Sequence, residues 1–270
     1  MYNVLVTGGT GTLGQAIVRE LLGLDVRTIR IFSRNEYFQH KMSQDFDTER
    51  LRFMIGDVRD KDRLSMVLRD VDTVFHCAAL KHVPICEYNP IEAVRTNVMG
   101  AVSLVEATIT SGADRVLAVS SDKAVQPINL YGATKLVMEK LIIHANAYGK
   151  TKFSCVRLGN IPGSSGSVLE TWQKQKCDGV LTITDADMTR YWIDASKAAR
   201  FCIDSVGRMN GGEIYVPKMF SMRIADLAHE VIGDITQTEI GKRKGEKLHE
   251  ELFNEGEYPI EFKDYYVIHS

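Results

Sequence analysis

The chain has 270 residues, 44% of them apolar and 25% charged, with 33 lysines and arginines against 35 aspartates and glutamates. A net charge of −2 and a pI near 6.4 exclude the basic signature of a nucleic-acid binder, and no apolar run approaches the roughly 18 residues of a membrane span. The five cysteines, Cys77, Cys86, Cys155, Cys177 and Cys202, are odd in number, scattered and never in a C-x-x-C pair, so neither disulfides nor a zinc site is expected.

The amino terminus, MYNVLVTGG, enters a strand pattern at once instead of a signal peptide, and a cytoplasmic location is expected. The runs NVLVT, TIRIF, LRFMI, TVFHC, RVLAVS and FSCVRL follow in turn, each ahead of a Gly-, Asp- or Asn-containing bend. Between them lie helical patterns, the longest near Ile91–Ser111 and Asn129–Tyr148. Continuous apolar strands alternating with helices predict an α/β fold, a Rossmann-like doubly wound parallel sheet covered on both faces. From about Gly163 the pattern is less regular. There GVLTIT, TRYWI, GGEIYVP and TEIG read as short strands around helices near Asp194–Met209 and Met222–Ile232, which predicts a small C-terminal lobe. His249 lies among Glu246, Glu250 and Glu251, but GEKLHEEL reads as a polar helix start, and no metal is expected.

The first strand ends in TGGTGTLG, with Gly8, Gly11 and Gly14 at G-x-x-G-x-x-G spacing where a helix begins. Backbone amides at such a helix start can hold a pyrophosphate. The end of the second strand decides between NAD and NADP, because an acid there suits a ribose 2′-hydroxyl and a cation a 2′-phosphate. Here the tip is Ser33-Arg34-Asn35, with Glu36 following, and NADP is favoured. After the third strand, Asp57 and Val58 in GDVRD are placed to meet the adenine. Residues 1–162 are therefore expected to form an NADP-binding core that also carries the reactive groups. Residues 163–270 should form mostly a substrate-binding lobe, interleaved with that core.

SSDKAVQPINLYGATK contains Tyr131 and Lys135 at i and i+4 on one helix face. The ammonium is expected to lower the phenol's pKa and let tyrosinate act as a base. Behind a strand ending in Ser120-Ser121, this pair resembles the reactive centre of the short-chain dehydrogenase/reductase superfamily. The length and the TGGTGTLG turn resemble its extended, nucleotide-sugar-modifying branch.

Oxidation or epimerisation would need only Tyr131 and Lys135, so Asp122 and Lys123 suggest an elimination. Carbon 4 is oxidised to a ketone, the acidified carbon 5 proton is removed, the carbon 6 hydroxyl leaves as water and hydride returns to carbon 6. Lys123 is then the general base, neutral when it acts, its pKa expected to be depressed by nearby Lys135 and the oxidised nicotinamide; Asp122 is the general acid.

SSDKAVQPINLYGATK, AALKHVP, YNPIEAVRTNVMGA, TDADMTRYWI, GGEIYVPK and GEKLHE together resemble the inverting UDP-N-acetylglucosamine 4,6-dehydratases of pseudaminic acid synthesis, from Tyr2 to about Ile268. Retaining sugar dehydratases characteristically carry Asp-Glu where this chain has Asp122-Lys123. The resemblance implies a UDP-N-acetylglucosamine or close UDP-sugar substrate, inversion at carbon 5, and UDP-2-acetamido-2,6-dideoxy-beta-L-arabino-hex-4-ulose as product. It implies that Gly9, Thr10, Gly11 and Thr12 form the phosphate turn and that Ser33 to Phe38 form the 2′-phosphate segment. Asp57 and Val58 match its adenine contact. It places Lys81 near nicotinamide ribose and substrate, Asn160 at the substrate after strand six, and Thr184, Arg243 and Glu246 at the UDP-sugar. Arg190 is either a second diphosphate clamp or a core-edge ion pair.

The family also implies a homo-oligomer, a dimer or hexamer, joined through the two long helices. Ser165 stands where the family usually has arginine, and the chain stops at VIHS where relatives typically continue for several tens of residues. The competing readings are a UDP-sugar 4-epimerase, which needs no Asp-Lys pair, and a non-catalytic NADP-binding regulatory protein.

Overall fold

A computed structural model describes residues 1–46, 48–164 and 167–269; Ser165, the departure noted above, lies outside them. The first half runs β1 (Asn3–Thr7), α1 (Thr12–Leu22), β2 (Thr28–Ser33), α2 (Glu36–Asp45), β3 (Leu51–Ile55), α3 (Lys61–Val67) and β4 (Thr73–His76). Then come α4 (Val83–Tyr88), α5 (Pro90–Val94), a π-helical turn (Arg95–Met99), α6 (Gly100–Ser111), β5 (Arg115–Ser121), α7 (Leu130–His144) and β6 (Lys152–Leu158). The remainder contains α8 (Val168–Gln175), β7 (Val180–Ile183), β8 (Thr189–Trp192), α9 (Ala195–Arg208), β9 (Glu213–Pro217), β10 (Phe220–Arg223), α10 (Ile224–Ile232), β11 (Thr236–Glu239), β12 (Ile260–Glu261) and β13 (Tyr265–His269).

All six apolar runs form strands of one sheet, in the order β3-β2-β1-β4-β5-β6-β9-β13-β12. Pairing is parallel from β3 to β9, and β13 and β12 close the edge antiparallel. The strands are mostly apolar because both faces of the sheet are covered. Val4 and Val6 of β1 join Ile17 and Leu21 of α1 and Cys202 and Val206 of α9 on one side. Leu5, between them, joins Leu104 of α6 and Met138 and Ile142 of α7 on the other. Full burial of such a side chain stabilises by roughly 1.5–3 kcal/mol, and only a two-period strand sends neighbours to opposite faces. The order reverses between β1 and β4, which opens a crevice at their carboxyl ends.

A smaller third cluster holds the irregular region together: Leu169 and Trp172 of α8, Leu181 and Ile183 of β7, and Ile224 and Leu227 of α10. The run GGEIYVP leaves that region and enters the main sheet as β9, parallel to β6. The expected helix near Ile91–Ser111 is interrupted by the π turn, which turns Asn97 inward to 1% exposure. The expected helix start in GEKLHEEL does not form. The Leu248 carbonyl accepts from Thr189 N at 3.0 Å, and Arg190 Nη1 and Nη2 take the Leu248 and Lys247 carbonyls at 3.1 and 3.0 Å. Those acceptors are thereby taken from the amides four residues on that a helix requires.

Candidate active site

A cleft of about 910 Å³ follows the carboxyl ends of the strands from the glycine turn to the small lobe. At one end the chain passes from β1 through Gly8, Thr10 and Gly11 into α1, whose N-cap, Gly11, has no side-chain capping bond. The first amides of α1 therefore face the cleft without an internal side-chain acceptor. Gly14 is required by close packing, since a Cβ there would overlap the Gly8 carbonyl oxygen and lie 2.7 Å from Gly9 Cα. This bare, tightly turned helix start fits a pyrophosphate. Thr12, Ser33, Arg34, Asn35 and Val58 line the same end. Gly9 and Glu36 do not: Gly9 packs on Ile31, and Glu36 is exposed in the first turn of α2. Asp57 is turned to cations, pairing with Arg59 at 2.7 Å and Arg34 at 3.8 Å.

Lys81 lines the middle of the cleft on the loop after β4. Asn97 fixes that loop by bonding both the Leu80 amide and carbonyl at 2.8 Å and by donating to Thr134 Oγ1 on α7 at 3.0 Å. The sequence does not single out Asn97; its sign is the π turn of the folded helix, a feature that frequently marks functional sites.

The reactive turn follows β5. Asp122 is fully buried, accepts from Ser121 Oγ at 2.8 Å and receives Lys123 Nζ at 3.1 Å. It stands behind Lys123, which faces the cleft and also donates to Asn160 Oδ1 at 3.1 Å. Glu250, expected only as part of a polar helix start, approaches Lys123 Nζ at 3.4 Å from 127 positions away. Burial disfavours the Lys123 ammonium, but Asp122 and Glu250 outweigh it and hold its pKa above the ordinary lysine value. The expected depression by Lys135 is therefore not what this turn produces.

Tyr131 and Lys135 both line the cleft from the first turns of α7. Burial pushes the Tyr131 phenol up to about 12, opposed by the Lys123 charge and a hydrogen bond with Ser121. Burial lowers Lys135 to about 8, and its Nζ donates to the Val119 carbonyl at 2.5 Å. The cation that favours tyrosinate here is thus Lys123, not Lys135, because the Lys135 ammonium is drawn to the β5 backbone.

Thr184, Arg190, Arg243 and Glu246 line the lobe end of the cleft. Arg243 and Glu246 pair at 3.9 Å. Arg190 is 7% exposed and bonds main-chain carbonyls and Met188 Sδ; of its two expected roles, diphosphate clamp or core-edge ion pair, the ion pair does not form among the described residues. Its guanidinium fastens the 247–248 segment to β8.

Residues 4–270 match the family described as polysaccharide biosynthesis protein. The chain belongs to that family. It is 44% identical over 274 residues to the UDP-N-acetylglucosamine 4,6-dehydratase (inverting) of Campylobacter jejuni serotype O:23/36, covering 98% of this chain and 82% of that one. It is 38% identical over 280 residues to the UDP-glucose 4-epimerase of Rickettsia conorii, with the same 98% and 82% coverage. Among solved structures, Pen from Bacillus thuringiensis superimposes with a TM-score of 0.95 at 38% identity, over all of this chain and 88% of that one. Among the described residues, no helix is long and apolar enough to cross a membrane, and no cluster of three His, Cys, Asp or Glu could hold a metal ion.

Proposed function

We propose that this protein is an NADP-dependent lyase that dehydrates UDP-N-acetylglucosamine across carbons 5 and 6, inverting carbon 5. The product is UDP-2-acetamido-2,6-dideoxy-beta-L-arabino-hex-4-ulose. The observation that carries this reading is the Asp122–Lys123 contact at 3.1 Å, in the same cleft as Tyr131 and the glycine turn. The pair shares one proton, which rests on lysine. Its passage across that contact leaves a neutral amine facing the cleft and a protonated carboxyl behind it, the base and acid that an elimination needs.

In this reading Tyr131 takes the carbon 4 hydroxyl proton. Lys123 then removes the carbon 5 proton, and Asp122 protonates the departing carbon 6 hydroxyl through Ser121 Oγ, which lines the cleft and bonds Asp122 at 2.8 Å, returning the pair to its resting state. When bound, NADP would supply the hydride acceptor and donor that link oxidation at carbon 4 to reduction at carbon 6. A solvent-exchangeable proton then enters carbon 5 on the face opposite the one deprotonated, and Tyr131 releases the carbon 4 hydroxyl proton to solvent. Gly8, Thr10, Gly11 and Thr12 would hold its phosphates, Ser33, Arg34 and Asn35 its 2′-phosphate, and Val58 its adenine. The preference for NADP over NAD is supported by Arg34, half-exposed at the rim, and by Asp57, whose carboxylate is engaged by Arg34 and Arg59. Asn160, Lys81, Thr184, Arg243 and Glu246 would hold the sugar nucleotide, a guanidinium suiting its diphosphate.

The Rickettsia relative favours a second reading, 4-epimerisation, which uses Tyr131 but leaves Asp122 and Lys123 idle. Incubation with UDP-N-acetylglucosamine in heavy water separates the two by NMR. Dehydration gives a 4-keto-6-deoxy sugar with deuterium at an inverted carbon 5; a carbon 4 epimer without carbon 5 exchange rejects it.

A division into a core, 1–162, and a mostly substrate-binding lobe, 163–270, accompanies this reading. So does a homo-oligomer, supported by apolar side chains exposed on α4, α5 and α7: Tyr88, Ile91, Val94 and Val137. Light scattering at micromolar concentration would show at least a dimer; a monomer rejects it.

A further inference from the structure

Glu250 is buried, and its Oε2 has no hydrogen-bond partner. It lies on the extended segment that Arg190 fastens to β8. Two other bonds fix that segment against the reactive turn and helix. Lys247 Nζ donates to the Val125 carbonyl at 2.5 Å, and Asn129 Nδ2, at the start of α7, donates to the Gly245 carbonyl at 2.8 Å. From there Glu250 reaches Lys123 Nζ with Oε1 at 3.4 Å and Lys247 Nζ with Oε2 at 3.7 Å. An ammonium has three N–H donors. Asp122 and Asn160 accept from Lys123 Nζ at 3.1 Å each, and Glu250 Oε1 adds an ion-pair contact at 3.4 Å.

We propose that Glu250 is a positioning residue for Lys123, the third member of an alternating chain of charges, Asp122, Lys123, Glu250 and Lys247, that joins the reactive turn to the segment carrying Arg243 and Glu246. This inference rests on the reading of Lys123 as the group that acts at carbon 5. In that step the C5–H bond breaks and an Nζ–H bond forms, while the electron pair moves to the carbon 5–carbon 6 bond and the hydroxyl leaves as water with the proton of Asp122. The ammonium so formed is the species Glu250 stabilises, at a site that excludes most water and so weakens little of the attraction. The other charged group facing Lys123 is Arg190, which opposes Glu250, and Tyr131 is the remaining titratable neighbour. Since the 243–250 segment also lines the lobe end of the cleft, its seating sets where Lys123 points.

The two carboxylate-ammonium contacts make opposite predictions for two variants. Glu250→Gln keeps the shape and removes the charge. It should slow elimination roughly tenfold to hundredfold through lost positioning while leaving single-turnover oxidation of the sugar within about twofold of wild type. The ascending limb of elimination rate against pH should move to lower pH, since the ammonium loses a stabilising anion. Lys247→Met removes the cation that offsets Glu250, and should move the same limb to higher pH. Limbs that stay in place in both variants, or equal slowing of oxidation and elimination by Glu250→Gln, overturn the proposal. The Lys123 titration followed by NMR of isotope-labelled lysine reads the same opposite shifts without turnover. Shifts without any dehydrated product would defeat the proposed function and leave the charge chain standing. Product without shifts would defeat the charge chain alone.

Discussion

Gly132 lies against Lys123 so closely that a Cβ on it would overlap the Lys123 carbonyl oxygen and stand 3.1 Å from Pro127 Cβ. The residue after the reactive tyrosine therefore has no side chain because α7 rests directly on the turn that carries the acid-base pair. Gly132→Ala should cost about 1–3 kcal/mol by overpacking, against at most about 1 kcal/mol gained in helix propensity. Turnover should fall more than about tenfold, because a displacement near 1 Å in a positioned group can cost about a hundredfold. Urea denaturation and steady-state assay measure the two effects; wild-type turnover would show that the contact has no bearing on the chemistry.

Tyr131 and Lys123 act at different steps, so their variants should fail differently. Tyr131→Phe should reduce oxidation of the bound sugar by about 10²–10⁴, seen as absence of reduced-nicotinamide absorbance in a single turnover. Lys123→Ala should still allow that absorbance to accumulate while product formation stops. Undiminished dehydration by Lys123→Ala would remove lysine from the mechanism.

Lys135 is carried in the fold with its pKa lowered to about 8, by burial first, from an ordinary 10.5. The unfolded chain binds that proton more tightly, so the cost to folding is fully present below about pH 8 and is relieved as pH rises toward 10.5. Lys135→Met should therefore be more stable near neutrality, by up to about 3 kcal/mol less about 1 kcal/mol for the lost bond to Val119. Urea midpoints of wild type and variant should converge by pH 10. A variant less stable at pH 7 would mean that the hydrogen bond dominates.

Arg157 is buried between Glu139 at 2.8 Å and Glu257 at 2.9 Å, and it donates to the Leu252 carbonyl at 2.6 Å, two residues beyond Glu250. Arg157→Met would leave two carboxylates uncompensated and should cost about 3–5 kcal/mol at pH 7. Burial alone would raise the Glu257 carboxyl, but Arg157 holds it at about 2 against an ordinary 4.5. Its share of stability is thus present above about pH 4.5 and lost as pH falls toward 2. Acid unfolding should accordingly lose that phase in the variant, which circular dichroism across the window measures.

The strands, the glycine turn and the helix bearing Tyr131 and Lys135 were legible in the sequence because each depends on neighbours in the chain. A strand covered on both faces is apolar at most positions, a tight strand-to-helix turn favours glycine, and a spacing of four puts two side chains on one helical face. The helix expected in GEKLHEEL failed because its carbonyls are taken by Arg190 and the Thr189 amide, some 58 positions away. GGEIYVP became β9 of the main sheet because its pairing partner, β6, lies far back in the chain. The charge of Lys123 was likewise out of reach. A protonation state is set by whichever charges stand within a few ångströms in a poorly solvated site, and the one that distinguishes this lysine, Glu250, is brought there only by the folded path of residues 189 to 250.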